Sequence, residues 1–296
     1  MRAMSHVLLM LALCSALAPA AAAQTTPREL TSAQYEALDV DGRSLAALAR
    51  DGRRLYAAGR YLQAEPVLEK RLWRAVADGV KTSHEELGQA YLELADLYAA
   101  EGRYPDAEDL YDDAFDLLRP DLGLEHPVVL RVDDHRAELY RLQGRLLRSE
   151  ELERRVLDAR ERLLGVDAAE VADSLQHLGR LYRDEGRPAQ AEPLLKRALA
   201  IRSRWFGRWG VSYALTLRDL ASVYAAQRRW TEAESGYRRA LGVERRSLGR
   251  RHPETAATMS ELAWVLKNDG QPIEAAELER DAEEDRALFA RDVPVD

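Results

Sequence analysis

Residues 174–203 read SLQHLGRLYRDEGRPAQAEPLLKRALAIRS, and this stretch decides the fold. Leu175, Leu178, Gly179 and Tyr182 recur at helical spacing. They form one apolar stripe, with a small residue where a second helix must come close. Gly186 lets the chain reverse. Pro188 falls at the first position of the next helix, where its missing N–H costs nothing. Ala191, Leu194, Leu195, Ala198 and Leu199 make a second stripe, and Gly207 ends that helix. The stretch is a helix–turn–helix hairpin that cannot bury its own apolar faces, so neighbours must stack on it.

Those neighbours are visible in the same chain. The turn glycine recurs at Gly102, Gly144, Gly186 and Gly270, with Arg228 in the series and each step 42 residues; Gly59 is one residue off. A second series, Gly123, Gly165, Gly207 and Gly249, keeps the same step, and His126 and His252 follow it, each before a proline. Around the turns the chain reads LYAAGRYLQAEPVLEKRL (55–72), LYAAEGRYPDAEDLYDDAF (97–115), LYRLQGRLLRSEELERRVL (139–157), VYAAQRRWTEAESGYRRAL (223–241) and VLKNDGQPIEAAELERDA (265–282). Length therefore counts repeats rather than domains.

These features resemble the tetratricopeptide repeat, in the 42-residue variety found in kinesin light chains: LA-LY, G-R-Y-x-x-A-E, A-L and L-G-x-x-H-P. The resemblance runs from about Leu45 to Ala290. It implies an all-α, right-handed superhelical solenoid of about six helix–turn–helix repeats. Small-residue positions of the motif are met by Ala95, Ala137, Gly179, Ala221 and Ala263, and by Ala64, Ala107, Ala191, Ala233 and Ala275. The third repeat departs from the pattern, with Asp133 and Arg136 at apolar positions and Ser149 at the alanine position, which puts its packing in doubt.

Four segments follow. Residues 1–23 read as a cleavable secretory signal: Arg2, the apolar run Val7–Ala18, Pro19, then Ala21-Ala22-Ala23 before Gln24. The run is too short for a comfortable span, which needs about 20 apolar residues. An alternative makes Leu11-Ala12-Leu13-Cys14 a lipoprotein box, although Leu13 is bulky where such boxes carry Gly or Ala. Residues 24–42 read as a tether, 43–290 as the array and 291–296 as a tail. The expected location is periplasmic or secreted. Cleavage after Ala23 removes Cys14, the only cysteine, so stability must come from packing.

Composition supports helices: hydrophobic residues are 46% and charged residues 32%, with isoleucine only at Ile201 and Ile273. The net charge of −8 gives the molecule as a whole no electrostatic reason to seek nucleic acid or an anionic membrane. No integral membrane span is expected in the mature chain.

Catalytic patterns do not surface. His84, His126, His135, His177 and His252 are not at spacings that converge on a metal. Nor is there a phosphate-cradling glycine loop, a Gly-x-Ser-x-Gly elbow or a His-Glu-x-x-His. We therefore expect no enzyme, no cofactor and no metal.

Function then follows from shape. In tetratricopeptide proteins the first helix of each pair lines a concave groove that holds a partner peptide. The resemblance places Arg141, Gln176, Arg180, Arg183, Arg218, Ser222, Trp264 and Lys267 there. Arg180, Arg183 and Arg218 would form a cationic patch for an acidic segment or a C-terminal carboxylate, unless Asp173, Asp184 and Asp219 neutralise it. Trp264 would anchor the partner, whereas Trp73, Trp205, Trp209 and Trp230 read as packing between repeats. Kinesin-type repeats also carry a pair of asparagines that contact peptide backbone. Here those positions hold Leu92-Glu93, Gln176-His177, Arg218-Asp219 and Ser260-Glu261, so that clamp does not transfer. The expected protein is an exported scaffold or adaptor. The alternative is an accessory subunit that docks on an envelope enzyme or secretion complex through its convex face or N-terminal tether.

Overall fold

The computed structural model describes residues 43–292. The secretory address, the tether and all but the first two residues of the tail lie outside them. The described residues hold α-helices and one 3₁₀ turn and no strand. They fall into two compact units that meet in sequence between Gly144 and Arg145, the turn of the third repeat.

Unit 1 contains α1 (Leu45–Ala57), α2 (Tyr61–Ala77), α3 (His84–Ala100), α4 (Tyr104–Leu122) and α5 (Pro127–Leu142). Each packs on the next, and the first helices of successive pairs also touch. A single apolar core runs through Ala64, Leu68, Leu97, Tyr111, Leu118 and Val132, all at most 2% exposed.

Unit 2 contains α6 (Leu146–Leu164), α7 (Ala169–Asp184), α8 (Pro188–Phe206), α9 (Val211–Ala226), α10 (Trp230–Ser247), α11 (Pro253–Asn268) and α12 (Pro272–Asp292). The chain-order packing is the same. The last helix continues two residues past Ala290, where the tail was expected to begin.

Local chemistry sets the helix ends. Gly186 takes φ 71° in the turn between α7 and α8, and Pro188 is the first residue of α8. Gly179 is tight as well: a Cβ there would lie 2.7 Å from Leu195 Cγ. The His-Pro pairs are caps, since His126 Nδ1 accepts from Val128 N at 3.4 Å and His252 Nδ1 from Glu254 N at 3.2 Å.

The G-R of the motif staples successive repeats. Arg103 lies over the Tyr98 ring at 3.7 Å and donates to Glu65 Oε1, one repeat back, at 2.6 Å. Arg187 lies 4.3 Å from Tyr182 and reaches Glu150 at 3.1 Å. Arg229 lies 4.3 Å from Tyr224 and reaches Glu192 at 2.7 Å. Tyrosine face, guanidinium and carboxylate thus form one stack in each of these three repeats.

The aberrant residues of the third repeat are accommodated on both sides of the unit boundary. In unit 1 the fully buried Asp133 accepts from Arg136 at 3.3 Å, and that guanidinium also covers Phe115 at 4.7 Å. In unit 2 Ser149 is 1% exposed within α6.

Candidate partner-binding wall

In unit 2 the first helices α7, α9 and α11 lie side by side, joined by polar side chains. From α7, Gln176 Nε2 donates to Asp219 Oδ2 at 2.5 Å, and Arg183 donates to Ser222 Oγ at 2.9 Å. Ser222 Oγ in turn donates to the Asp219 carbonyl at 2.7 Å. From α9, Arg218 meets Glu254 of α11 at 2.5 Å and Glu261 at 4.0 Å. Beneath them, Arg202 of α8 donates to Gln176 and Thr216, to the Ser212 carbonyl at 2.8 Å and to Asp173 at 2.6 Å.

These contacts define what the wall can do. Arg183 is engaged by Asp184 at 2.8 Å and faces Asp219 at 3.8 Å. Arg218 is engaged by Glu254, with the Glu261 carboxylate at 4.0 Å. Asp173 serves Arg202 rather than the wall. Burial raises the pKa of Glu261, against the pull of Arg218. Burial would lower Arg218, but the hydrogen bond to Glu254 and the surrounding carboxylates raise it instead. Arg180 is half-buried on α7, and Gln176 is buried.

Trp264 and Lys267 differ from the rest. Both are exposed and, three residues apart on α11, they share a face. Trp264 is 53% exposed, with its ring edge-on to Trp230 of α10 at 5.8 Å and 69°. Arg141 belongs to unit 1, where it grips Glu138 with two hydrogen bonds of 2.7 and 2.8 Å.

Two tryptophans read as packing residues are not. Trp205 is 60% and Trp209 65% exposed, because each sits at the α8–α9 chain reversal rather than between helices. Trp230 is half-buried against the core of α9 to α12, and Trp73 is half-buried in unit 1. Glu254, Glu261 and Arg202 were missed as partners of the wall. Arg202 carried a signal, since Arg160, Arg202 and Glu244 stand at the repeat interval.

The comparisons agree with this architecture. The tetratricopeptide repeat profile matches residues 86–161, 128–204 and 212–286, so the chain belongs to the tetratricopeptide repeat family. Among solved structures it is similar to the nearly identical TPR-like repeats of a candidate kinesin light chain from Podosopora anserina. That match has 25% identity and a TM-score of 0.56, and it covers 71% of this chain and 99% of that one. It is also similar to BtubC (BKLC) from P. vanneervenii, at 22% identity and TM-score 0.59, over 86% of this chain and 94% of that one. A Rap protein complexed with competence and sporulation factor shares the fold at 11% identity and TM-score 0.60, over 88% of this chain and 81% of that one. No match was found among curated proteins. The family assignment makes the chain a protein-interaction scaffold of the kinesin-light-chain-like repeat type.

Proposed function

We propose that the protein is an exported, non-enzymatic adaptor that holds a segment of a protein partner against the wall formed by α7, α9 and α11. The observation that carries this reading is Trp264. A 53% exposed indole on a first-helix face, braced edge-on by a second indole, is an anchor in search of a side chain to cover it.

An acidic segment or a terminal carboxylate would have to displace Glu254 from Arg218, or Asp184 and Asp219 from Arg183. Lys267 is exposed one turn from the anchor and is the cation to which such a carboxylate comes without displacing a wall residue. The ligand is therefore read as a segment with an apolar side chain for Trp264 and a carboxylate for Lys267.

A photocrosslinker placed at Lys267, with a second on α8 at Gln190 for comparison, tests the reading in the native host. Partner recovered from position 267 and lost with Trp264→Ala supports it; recovery from Gln190 alone rejects it. Export is read from residues 1–23 alone, and the N-terminal sequence of the chain isolated from its host decides it. A start at Gln24 is expected.

A further inference from the structure

A second surface of unit 2 lies at its helix-to-helix loops. Large apolar residues are exposed there, among them Leu164 at 47%, Val166 at 57%, Trp205 at 60%, Phe206 at 57% and Trp209 at 65%. Side chains tie the loops that carry them into one edge. Trp205 Nε1 donates to the Asp167 carbonyl at 2.7 Å, and Arg204 pairs with Asp167 at 2.7 Å. On the other side Ser247 Oγ donates to the Trp209 carbonyl at 3.1 Å, and the Arg246 guanidinium lies 4.7 Å from the Trp209 ring.

The two loops of this edge forgo a side-chain helix cap. Where other repeats cap the next helix with His126 or His252, these two loops place Ala168 and Gly210, neither of which makes a side-chain cap. At the positions of Trp205, Arg208 and Trp209, unit 1 carries Asp121, Leu124 and Glu125. Unit 1 thus carries two acidic residues and the exposed Leu124 at these positions, where unit 2 carries two indoles and an arginine.

We propose that this edge of unit 2 docks on an anionic lipid surface, with Trp205, Phe206 and Trp209 entering the headgroup boundary and Arg208 and Arg246 meeting lipid phosphates. Three observations favour lipid over a protein. The Trp205 N–H is satisfied inside the molecule, so what the ring offers outward is hydrocarbon. The Arg246 guanidinium lies over the Trp209 ring, a pairing of cation and indole that suits a membrane–water boundary. Neither Arg208 nor Arg246 has a carboxylate partner among the described residues, so their charge is available to an anionic headgroup despite the chain's net −8. The contact is peripheral, since no described helix is long and apolar enough to cross a membrane.

The test is partition of the full chain onto phosphatidylcholine vesicles with and without about one-third phosphatidylglycerol, with indole fluorescence quenched by lipids brominated in the acyl chain. The apolar run at 7–18 contains no tryptophan, so quenching reports the array and not that run. The expected result is binding and quenching on anionic vesicles, falling about tenfold in the W205A/F206A/W209A variant with helical circular dichroism unchanged. R208S/R246S, which leaves the aromatic residues intact, should fall several-fold, and about 1 M salt should mimic it. The proposal is overturned by absence of binding to anionic vesicles, equal binding to neutral ones, or quenching that both variants retain. Dimerisation abolished by the aromatic variant would give the edge to a second copy. Loss of a soluble partner with vesicle partition intact would give it to a protein.

Discussion

In unit 1 the residue that α4 contributes at the inner face of its last turns is Leu118, buried in the same core as Val132 of α5. One repeat on, in unit 2, the matching pair is Arg160 and Ser174, joined by a 2.7 Å hydrogen bond. Two repeats on it is Arg202 and Thr216, also bonded. Three repeats on it is Glu244 and Thr258, both fully buried. The partner has changed with the residue at every step, apolar with apolar and polar with polar. Accordingly the apolar core of unit 1 is contiguous, whereas that of unit 2 is parcelled among four clusters of the described residues. Small residues and tyrosine staples hold the helices in register, which leaves this column free to carry polar chemistry.

The largest effects should come from emptying the column. Arg202→Ala removes a guanidinium that serves Asp173, Gln176, Thr216 and the Ser212 carbonyl, and should cost about 3–5 kcal/mol in urea unfolding. Leu118→Ala, the same truncation in unit 1, should cost about 3 kcal/mol through cavity and transfer terms. The sharper experiment is Arg202→Leu, which imports the residue of unit 1 into unit 2. It restores volume but leaves the hydrogen-bonding partners unmet, so it should recover only part of the alanine loss. Full recovery would mean that the polar column is filler.

The repeat period made the fold readable because Gly179, Gly186, Pro188 and the alanines each answer to a local rule, and the structure uses them as that rule requires. It also placed Trp264 on a first-helix face. What it could not supply was the pairing of long side chains. Arg218 finds Glu254 thirty-six residues away, across two helices whose separation no local spacing encodes. Trp205 and Trp209 misled for a related reason. A large apolar residue near a helix end looks like packing until the loop geometry shows that no helix covers it. The column of Arg160, Arg202 and Glu244 was legible at the repeat interval, and it went unread because polar residues do not register as core.

Glu244 sharpens the comparison from the opposite side, as the polar residue that the column serves worst. It is fully buried and neither carboxyl oxygen has a hydrogen-bond partner. Burial raises its pKa above the ordinary 4.5, a rise that the Arg218 charge only moderates. Between the unfolded and folded pKa values the folded protein keeps a proton that the unfolded chain has released. Stability therefore falls as pH climbs through that window, and stays lower above it. Glu244→Gln should stabilise the protein at pH 7 by about 1–2 kcal/mol, and the gain should shrink as pH falls toward 4.5. Thermal melts of both proteins across that range check it. A variant that melts lower at neutral pH would show that the carboxylate is wanted.

The smallest effect lies in the turns, where unit 1 is again the more regular. Its turn residues Gly59, Gly102 and Gly144 all take positive φ, between 68° and 77°, as glycine does at little steric cost. In unit 2 the matching position of the fifth repeat is Arg228, at φ 58°, where a side chain crowds its own backbone. The side chain is exposed, so no burial offsets that strain. Arg228→Gly relieves the strain but enlarges the freedom of the unfolded chain, and the first term is the larger by about 1 kcal/mol or less. The variant should therefore melt slightly higher, with its helical circular dichroism unchanged. If it melts lower, the arginine does something in that turn that its backbone angle alone does not reveal, and a crosslinker at residue 228 would be the next probe to place.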